Sequence, residues 1–243
     1  MCGRYVTAAD RATISKEFAA RPIGDEELGP DYNIAPSKKV YVVVDRHDER
    51  QLRTLTWGLI PSWARDPKIG NRMANARLET AAEKPSFRRA WASRRALLPA
   101  NGYYEWYESE IDPDLPKSKR PPKQPYYIHP EDDSLLAMAG LYEIWRDKTI
   151  DDEGDPNAFR WTCTILTTNT TDKLGHIHDR MPLLVAKADF ETWLDPKISA
   201  PSMDLLVPAS PDLLDAYPIS TDVNKVNNNS PQLLEPLPAE PAS

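Results

Sequence analysis

The sequence predicts one α+β domain with a largely antiparallel, curved or barrel-like β-sheet core flanked by short helices. Three observations support this fold class. Segments rich in β-branched and aromatic residues outnumber segments with helical periodicity. The two kinds of segment do not alternate regularly, as they would in a parallel α/β fold. The chain has 243 residues, 40% of them hydrophobic, which allows a sizeable core, and its 24 prolines imply many fixed turns.

The elements are predicted in order along the chain. A helix is expected over residues 9–20, with Thr7 or Asp10 as its N-terminal cap. A second short helix is expected over residues 186–193. Residues 1–234 would form the domain and residues 235–243 a frayed Pro- and Ala-rich tail. Strands are expected over residues 39–45, 51–57, 96–99, 102–108, 125–129, 135–145 and 159–168, and polar loops over 112–123 and 147–157.

Composition and charge limit the function classes. No apolar run approaches the roughly 20 residues that span a bilayer, and the N-terminal segment lacks the apolar stretch of a secretory signal. We therefore expect no membrane partner, and a cytoplasmic (nucleoid-associated) protein in a prokaryote or a nuclear one in a eukaryote. The net charge of −7 argues against a general nucleic-acid binder. However, residues 86–95 contain four arginines and no acidic residue, and residues 117–123 are also basic.

The two cysteines, Cys2 and Cys163, are predicted to be reduced, because thiols stay reduced in the cytosol. Neither cysteine has histidines at the spacing of a zinc site. We therefore expect no disulfide, no metal and no cofactor. Cys163 lies in an apolar strand segment and is predicted to be a buried core residue.

Removal of Met1 would expose Cys2 with a free α-amine and a thiol on neighbouring carbon atoms. The reference pKa values are about 7.7–8.0 for the amine and about 8.5 for the thiol. Both groups are therefore expected to be partly nucleophilic near neutral pH. Such a pair condenses with an aldehyde, because the amine forms a Schiff base and the thiolate then closes a five-membered thiazolidine. A cysteine at position 2 also arises by chance, so this prediction depends on the rest of the sequence.

Six short motifs and an Asn-rich segment at residues 223–236 closely resemble the SOS-response-associated peptidase (SRAP) family, which is related to the 5-hydroxymethylcytosine-binding proteins of embryonic stem cells. The resemblance covers nearly the whole chain. It implies the SRAP fold, a monomer, and a DNA-repair activity in which Cys2 crosslinks to the ring-opened aldehyde of abasic sites in single-stranded DNA. The motifs are MCGRY at residues 1–5, YNIAP at 32–36, WGLIPSW at 57–63, NARLET at 75–80, PANGYYEW at 99–106 and IHDRMP at 177–182.

The resemblance also implies that Asn75, Glu105 and His178 act together with the terminal cysteine. On a strand, Glu105 would share a face with Tyr103 and Tyr107, where loss of solvation would raise its pKa and suit it to proton transfer. His178 would shuttle protons near neutral pH. Asn75 cannot titrate and would position the amine or the opened sugar.

For DNA, the resemblance points to three arginines as phosphate ligands and to four residues along a groove. Trp63 would stack on a base or wedge beside the lesion. Some relatives carry a second tryptophan directly after this position, where this chain has Ala64. The phosphate ligands would be Arg4, Arg77 and Arg180, and the groove residues Asn33, Pro36, Trp63 and Thr168.

Two other functions remain open at this point. In an N-terminal-nucleophile thiol peptidase, the amine of Cys2 would act as base for its own side chain, and loss of Met1 could be autoproteolytic. A peptidase has no need of an arginine-lined surface, which favours the DNA reading. A non-covalent reader of modified bases would leave the position of Cys2 unexplained.

Overall fold

The computed structural model describes residues 2–109, 116, 120–152, 154–155, 158–170, 172–198 and 213–238. Most of the ordered elements in these ranges are strands, and the helices are short. The strands are β1 (Arg4–Thr7), β2 (Arg21–Pro22), β3 (Asp31–Ile34), β4 (Lys39–Arg46), β5 (Glu49–Trp57), β6 (Asn75–Arg77), β7 (Arg95–Ala100), β8 (Gly102–Tyr107), β9 (Gln124–Pro130), β10 (Leu136–Arg146), β11 (Phe159–Asn169), β12 (Arg180–Pro182) and β13 (Leu214–Pro218). The α-helices are α1 (Arg11–Glu17), α2 (Leu78–Ala81), α3 (Arg88–Ser93), α4 (Asp172–Gly175) and α5 (Phe190–Leu194), and 3-10 turns cover Pro67–Arg72, Lys187–Asp189, Thr221–Asn224 and Pro231–Leu234.

The strands form two sheets. In the larger sheet the order is β12-β11-β10-β7-β4-β5-β2, with β6 added beside β11. Strand β11 also pairs in parallel with β5, so β11, β10, β7, β4 and β5 close into a barrel. The second sheet has the order β13-β9-β8-β1-β3 and is antiparallel throughout. The predicted α+β class with a mostly antiparallel, barrel-like sheet is confirmed.

Alternation of side chains along the strands builds three apolar layers. Val42 and Leu98 of the barrel face the second sheet, while their neighbours Val43 and Leu97 face the helices. A third layer lies on the outer face of the second sheet, where residues 219–234 cover it. Cys2 belongs to the layer between the barrel and the second sheet.

The first predicted helix is present but shorter than expected. The side chain of Asp10 accepts a hydrogen bond from the backbone N–H of Thr13 at 2.7 Å, which makes Asp10 the N-cap. The alternative cap, Thr7, is wrong because this residue is the last of β1. The helix ends at Glu17, and Ala19 takes a φ of 48°, which stops it from continuing. No helix in the described part of the chain is long and apolar enough to cross a membrane.

All seven predicted strands occur within about two residues of their expected ends, while the very short strands were missed. Strands β1, β3, β6 and β12 have three or four residues each, too few for a period of two to show in the sequence.

Much of the predicted loops 112–123 and 147–157 lies outside the described residues. Within the segment predicted as a tail, Pro236 forms a bridge with Ile219, and the N–H of Leu237 donates to the Pro218 carbonyl at 2.9 Å. Residues 239–243 lie outside the described ranges.

The arginine-rich stretch at residues 86–95 is partly packed against the core. Phe87 and Trp91 are buried. Arg95 is 2% exposed and donates to backbone carbonyls at the ends of two helices, Trp91 of α3 and Trp193 of α5. This arginine therefore stabilises helix ends and adds nothing to a surface for DNA.

Candidate active site

Cys2 directly precedes β1 and is fully buried between the barrel and the second sheet. Its thiol donates a long hydrogen bond to the Arg4 carbonyl at 3.9 Å. Burial raises the pKa of the Cys2 thiol above its ordinary value, because the thiolate would lose its hydration. The expectation of a partly ionised thiol at neutral pH is therefore wrong for this state of the protein. Any reaction of Cys2 needs a neighbouring base or an ionisation step coupled to substrate binding.

Asn75 holds the backbone of Cys2 in place. Strand β6 pairs in parallel with β11, with Asn75 opposite Ile165. The Asn75 side-chain Nδ2 donates to the Cys2 carbonyl at 2.7 Å. The other amide atom, Oδ1, is buried and has no hydrogen-bond partner. Asn75 therefore has one bond to the backbone of Cys2 and one free acceptor beside it.

Glu105 enters the same layer from β8, whose register with β1 sets Arg4 opposite Tyr104. The predicted faces of β8 are confirmed, because Tyr103 packs in the layer of Cys2 and Tyr104 packs on the outer face. Glu105 is only 3% exposed. Burial raises the pKa of its carboxyl to about 7, as the sequence predicted in direction. Near neutral pH this group can both give and take a proton.

His178 follows α4 and faces Glu105. The backbone N–H of Arg180 lies 2.9 Å from its Nδ1, and Oδ1 of Asp179 lies 2.9 Å from the same atom. Nε2 lies 3.9 Å from Glu105 Oε2. Partial burial lowers the pKa of His178, which favours the neutral imidazole at pH 7. His176, the other histidine of this loop, is exposed.

The structure thus brings Cys2, Asn75, Glu105 and His178 together from four separate parts of the chain. A buried carboxyl with a pKa of about 7 next to a neutral imidazole is suited to proton transfer at an otherwise apolar site. Within the described ranges, no three His, Cys, Asp or Glu side chains form a group that could hold a metal ion.

The predicted DNA-contacting residues differ in exposure. Arg77 is exposed at the end of β6, and Trp63 is 56% exposed, with its Nε1 donating to the Pro85 carbonyl at 3.2 Å. Pro36 and Thr168 are half-buried. These four residues therefore keep part of their surface exposed to solvent.

Asn33 and Arg4 are largely engaged within the protein. Asn33 is fully buried, and its Oδ1 accepts from Arg4 Nη1 at 2.7 Å. Its Nδ2 donates to the carbonyls of Val223, Lys225 and Asn228 at 3.0–3.1 Å. Asn33 thus has no exposed surface for the groove contact that the sequence suggested, and it instead fastens residues 223–228 and positions Arg4.

Arg180 is 8% exposed and is also internally paired. Its terminal nitrogens donate to both carboxylate oxygens of Glu79, at 2.6 and 3.0 Å, and to the Thr167 carbonyl at 2.6 Å. This ion pair was not expected from the sequence, although Glu79 lies within the NARLET motif. In this structure Arg180 joins α2 to the loop of His178.

Comparison with known proteins adds an independent observation. The sequence matches the family described as SOS response associated peptidase (SRAP) over residues 1–226. It is 40% identical over 238 residues to the abasic site processing protein YoqW of Bacillus subtilis (strain 168), covering 97% of this chain and 99% of that protein. It is 29% identical to the abasic site processing protein YedK of Escherichia coli (strain K12), covering 98% of this chain and all of that one. The similarly named HMCES of Gallus gallus is 29% identical over 280 residues, covering 98% of this chain and 78% of that protein.

Solved structures share the fold. A protein from Bacteroides thetaiotaomicron superposes with a TM-score of 0.79 at 28% identity, covering 97% of this chain and all of that one. A protein from Bordetella bronchiseptica superposes with a TM-score of 0.69 at 25% identity, covering 90% of this chain. The similarity therefore extends over the barrel, the second sheet and the site between them.

Proposed function

This chain belongs to the SOS response associated peptidase family, and from that premise we propose that it processes abasic sites in DNA by covalent attachment through Cys2. The observation that carries the proposal is the position of Cys2. It lies buried beside a carboxyl that titrates near pH 7, with its carbonyl held by Asn75 at 2.7 Å. Relatives of nearly the same length are named abasic site processing proteins.

In the proposed reaction, Met1 is removed first, which leaves Cys2 with a free α-amine. The amine adds to the aldehyde of the ring-opened abasic sugar. Loss of one water gives an imine, and the Cys2 thiol then adds across the imine to close a thiazolidine. No co-reactant is required, and the only by-product is that water molecule.

Side chains around Cys2 can transfer the protons that its buried thiol cannot transfer alone. Burial disfavours the thiolate, so a base must take the thiol proton as the sulfur attacks. Imine formation also needs an acid that protonates the departing hydroxyl. Glu105 can perform both transfers near pH 7, and neutral His178, 3.9 Å away, can relay a proton between the carboxyl and the sugar.

Single-stranded DNA is the proposed substrate form, because the reactive residues lie in a buried layer, and an abasic sugar can enter it more readily from a flexible single strand than from a strand held by its complement. Arg77 would neutralise a backbone phosphate, and Trp63 would stack on a base next to the lesion. These contacts would hold the strand while the abasic sugar enters between the sheets.

Intact mass spectrometry tests the proposal. The mature protein is mixed with an oligonucleotide that contains one abasic site, and a species with the summed mass less one water is expected. Reduction of the abasic aldehyde with borohydride beforehand should prevent this species. A parental protein that forms no adduct with the unreduced oligonucleotide would refute covalent attachment, and hydrolysis of a peptide substrate by the same preparation would favour the thiol peptidase instead.

A further inference from the structure

Two arginines lie together at the end of the barrel where β10 ends and β11 begins. The guanidinium carbon of Arg53, on β5, is 4.5 Å from the centroid of the Trp161 ring, and that of Arg46, the last residue of β4, is 5.1 Å from the same centroid. The indole is stacked on the ring of Tyr142 from β10, with centroids 5.8 Å apart and an interplanar angle of 3°. One fixed indole ring thus holds two positive charges close together.

In the described part of the chain, neither of these guanidinium groups forms an ion pair with a carboxylate. Nε of Arg53 donates to Gln51 Oε1 at 2.8 Å, and Nε of Arg46 donates to His47 Nε2 at 3.2 Å. These bonds fix both side chains and leave their terminal nitrogens as donors. Partial burial, and after it the charge of Arg46, lower the pKa of the Arg53 guanidinium. Two like charges therefore lie side by side, and an anion between them would relieve their repulsion.

The two arginines lie on a face of the barrel wall that is otherwise apolar. Side chains alternate along a strand, so Arg46 and Arg53 share the face of Val44 and Leu55, which pack between the barrel and the second sheet. Both arginines are half-buried. Charged side chains seldom lie on such a face unless an opposite charge compensates them.

The arginine pair is separate from the proposed active site. Along β11, Trp161 is four residues from Ile165, a separation of about 13 Å at about 3.3 Å per residue. Ile165 lies opposite Asn75, whose amide donates to the Cys2 carbonyl. The reaction at Cys2 therefore gives no reason for two unpaired arginines at this end of the barrel.

A cleft of about 590 Å³ borders the same tryptophan, and small-molecule sites typically have about 300–1,000 Å³. It opens between β5 and β11, which pair through only two residues of each strand. Phe159, which is 40% exposed, and Trp161 give it aromatic surface. Three basic residues line it, and none of the described residues that line it is acidic. Two of the three, Lys39 and Arg160, bind carboxylates outside the cleft, and Lys68 is exposed.

We propose that Arg46 and Arg53 form a binding site for the dianionic phosphate of a phosphomonoester, whose organic part occupies the cleft beside Trp161. Planar guanidinium groups match the oxygens of a phosphate, and two positive charges match a group that carries about −1.5 to −2 charges at pH 7. A phosphodiester or a carboxylate carries one negative charge and would compensate only one arginine. This site goes beyond the proposed function and does not depend on it.

Isothermal titration calorimetry with inorganic phosphate, in chloride buffer of constant ionic strength, tests the arginine pair. One phosphate should bind per chain, and Arg46→Gln or Arg53→Gln should weaken its affinity about 10–100-fold, the effect of losing a hydrogen bond to a charged group. Arg53→Lys keeps the charge but not the planar group, so its affinity should lie between. Arg50→Gln is the matched control, because Arg50 is on the other face of β5 and is paired with Asp45.

Further titrations identify the charge and the source of the ligand. Thymidine 5′-monophosphate should bind more tightly than inorganic phosphate, and its affinity should fall below about pH 6, where its phosphate takes up a proton. Sulfate remains a dianion over this range, so it controls for titration of the neighbouring His47. A 5′-phosphorylated oligonucleotide that displaces the nucleotide identifies the end of a nucleic acid as the source, and one that does not identifies a small phosphomonoester. Both results support the site.

Three results would overturn the inference: no saturable binding of phosphate to the parental protein, parental affinity in both glutamine variants, or equal displacement by an oligonucleotide without a terminal phosphate. Circular dichroism checks the fold of each variant, and Arg53→Lys decides the question if a glutamine variant does not fold. Adduct formation with abasic DNA should stay at the parental rate in Arg46→Gln and Arg53→Gln. A parental protein that forms no adduct contradicts the proposed function and leaves this inference standing.

Discussion

Strand β8 has two faces that differ in how their polar atoms are paired. On the outer face, the Tyr104 hydroxyl donates to the Tyr32 carbonyl at 2.7 Å, and Nε1 of Trp106 donates to Asn224 Oδ1 at 2.8 Å. On the inner face, the Tyr103 hydroxyl has no partner, and Glu105 is a buried carboxyl. The polar side-chain atoms of Tyr104 and Trp106 are therefore hydrogen-bonded, whereas the Tyr103 hydroxyl on the opposite face of the same strand is not.

We infer that the outer face of this six-residue strand contributes mainly to stability and that its inner face contributes mainly to the reaction. Pairing on the outer face stabilises the contact with residues 219–234, which lie over it. The unpaired Tyr103 hydroxyl on the inner face lowers stability, because a buried polar atom without a partner loses its hydration. Substitutions on the inner face should therefore change the reaction, and substitutions on the outer face should change the free energy of unfolding.

The largest effect is expected for Cys2→Ala, which removes the sulfur that closes the thiazolidine. No heat-stable adduct with abasic DNA should form, as judged by denaturing gel electrophoresis and intact mass. Cys163→Ala is the matched control, since Cys163 is equally buried in the same layer and its Sγ donates a long hydrogen bond to the Thr56 carbonyl at 3.7 Å. An undiminished adduct from a protein with an uncleavable N-terminal extension would contradict the role of the free terminus.

Glu105→Gln should slow adduct formation by about 10²–10⁴-fold, the usual contribution of general acid–base catalysis. The pH profile gives a sharper test. The Glu105 carboxyl, with a pKa of about 7, acts as an acid only while protonated, so its contribution is lost as the pH rises above 7. The amine of Cys2, with a reference pKa of about 7.7–8.0, gains reactivity over the same range.

A bell-shaped rate profile is therefore expected for the parental protein, and a profile that rises to a plateau for Glu105→Gln. Rates of adduct formation between pH 5.5 and 9 would show the difference. If the variant reacts at the parental rate throughout this range, the proton carrier must be His178 alone.

An intermediate effect, on stability and not on rate, is expected for Tyr104→Phe. It leaves the Tyr32 carbonyl without its partner, which should lower the free energy of unfolding by about 1–3 kcal/mol. Urea denaturation would measure the loss, while the rate of adduct formation per folded molecule should stay unchanged. A slower reaction without a loss of stability would show that the two faces are not independent.

The smallest effect is expected for Arg77→Ala, which removes one exposed charge beside the site. Affinity for single-stranded DNA should fall, and the slope of log K against log salt should flatten by about 0.7. Fluorescence anisotropy at several salt concentrations would measure both. Arg21→Ala, an exposed arginine paired with Glu49 on β5, is the control and should leave the slope as it was.

The long elements and their side-chain faces could be predicted from the sequence. Strands such as β4 and β10 carry enough alternating residues to be recognised, and the alternation along β8 correctly assigned Glu105 and Tyr103 to one face. Asp10 could be recognised as a cap because its side chain acts on a residue three positions away. All these signals are local in the sequence.

The remaining features depend on contacts between distant residues. The pairing of Glu79 with Arg180 and the bonds of Asn33 to residues 223–228 join parts of the chain about 100 and 190 residues apart. Burial of Cys2 also depends on a sheet that forms only when β1 pairs with β8 and β3. For this reason the sequence suggested a thiol that ionises easily, and the structure contains one that does not.

The hydrogen bonds of Asn33 to residues 223–228 can form only after the ribosome has made that late segment of the chain. This side chain ties Arg4, near the start of the chain, to carbonyls at residues 223–228. At about 5–20 residues per second, the ribosome needs roughly 10–45 s to reach that point. Until then the N-terminal segment lacks this fastening and stays open to an aminopeptidase. If Met1 is removed as proposed, we therefore expect the removal to occur during synthesis, before Asn33 can bind residues 223–228.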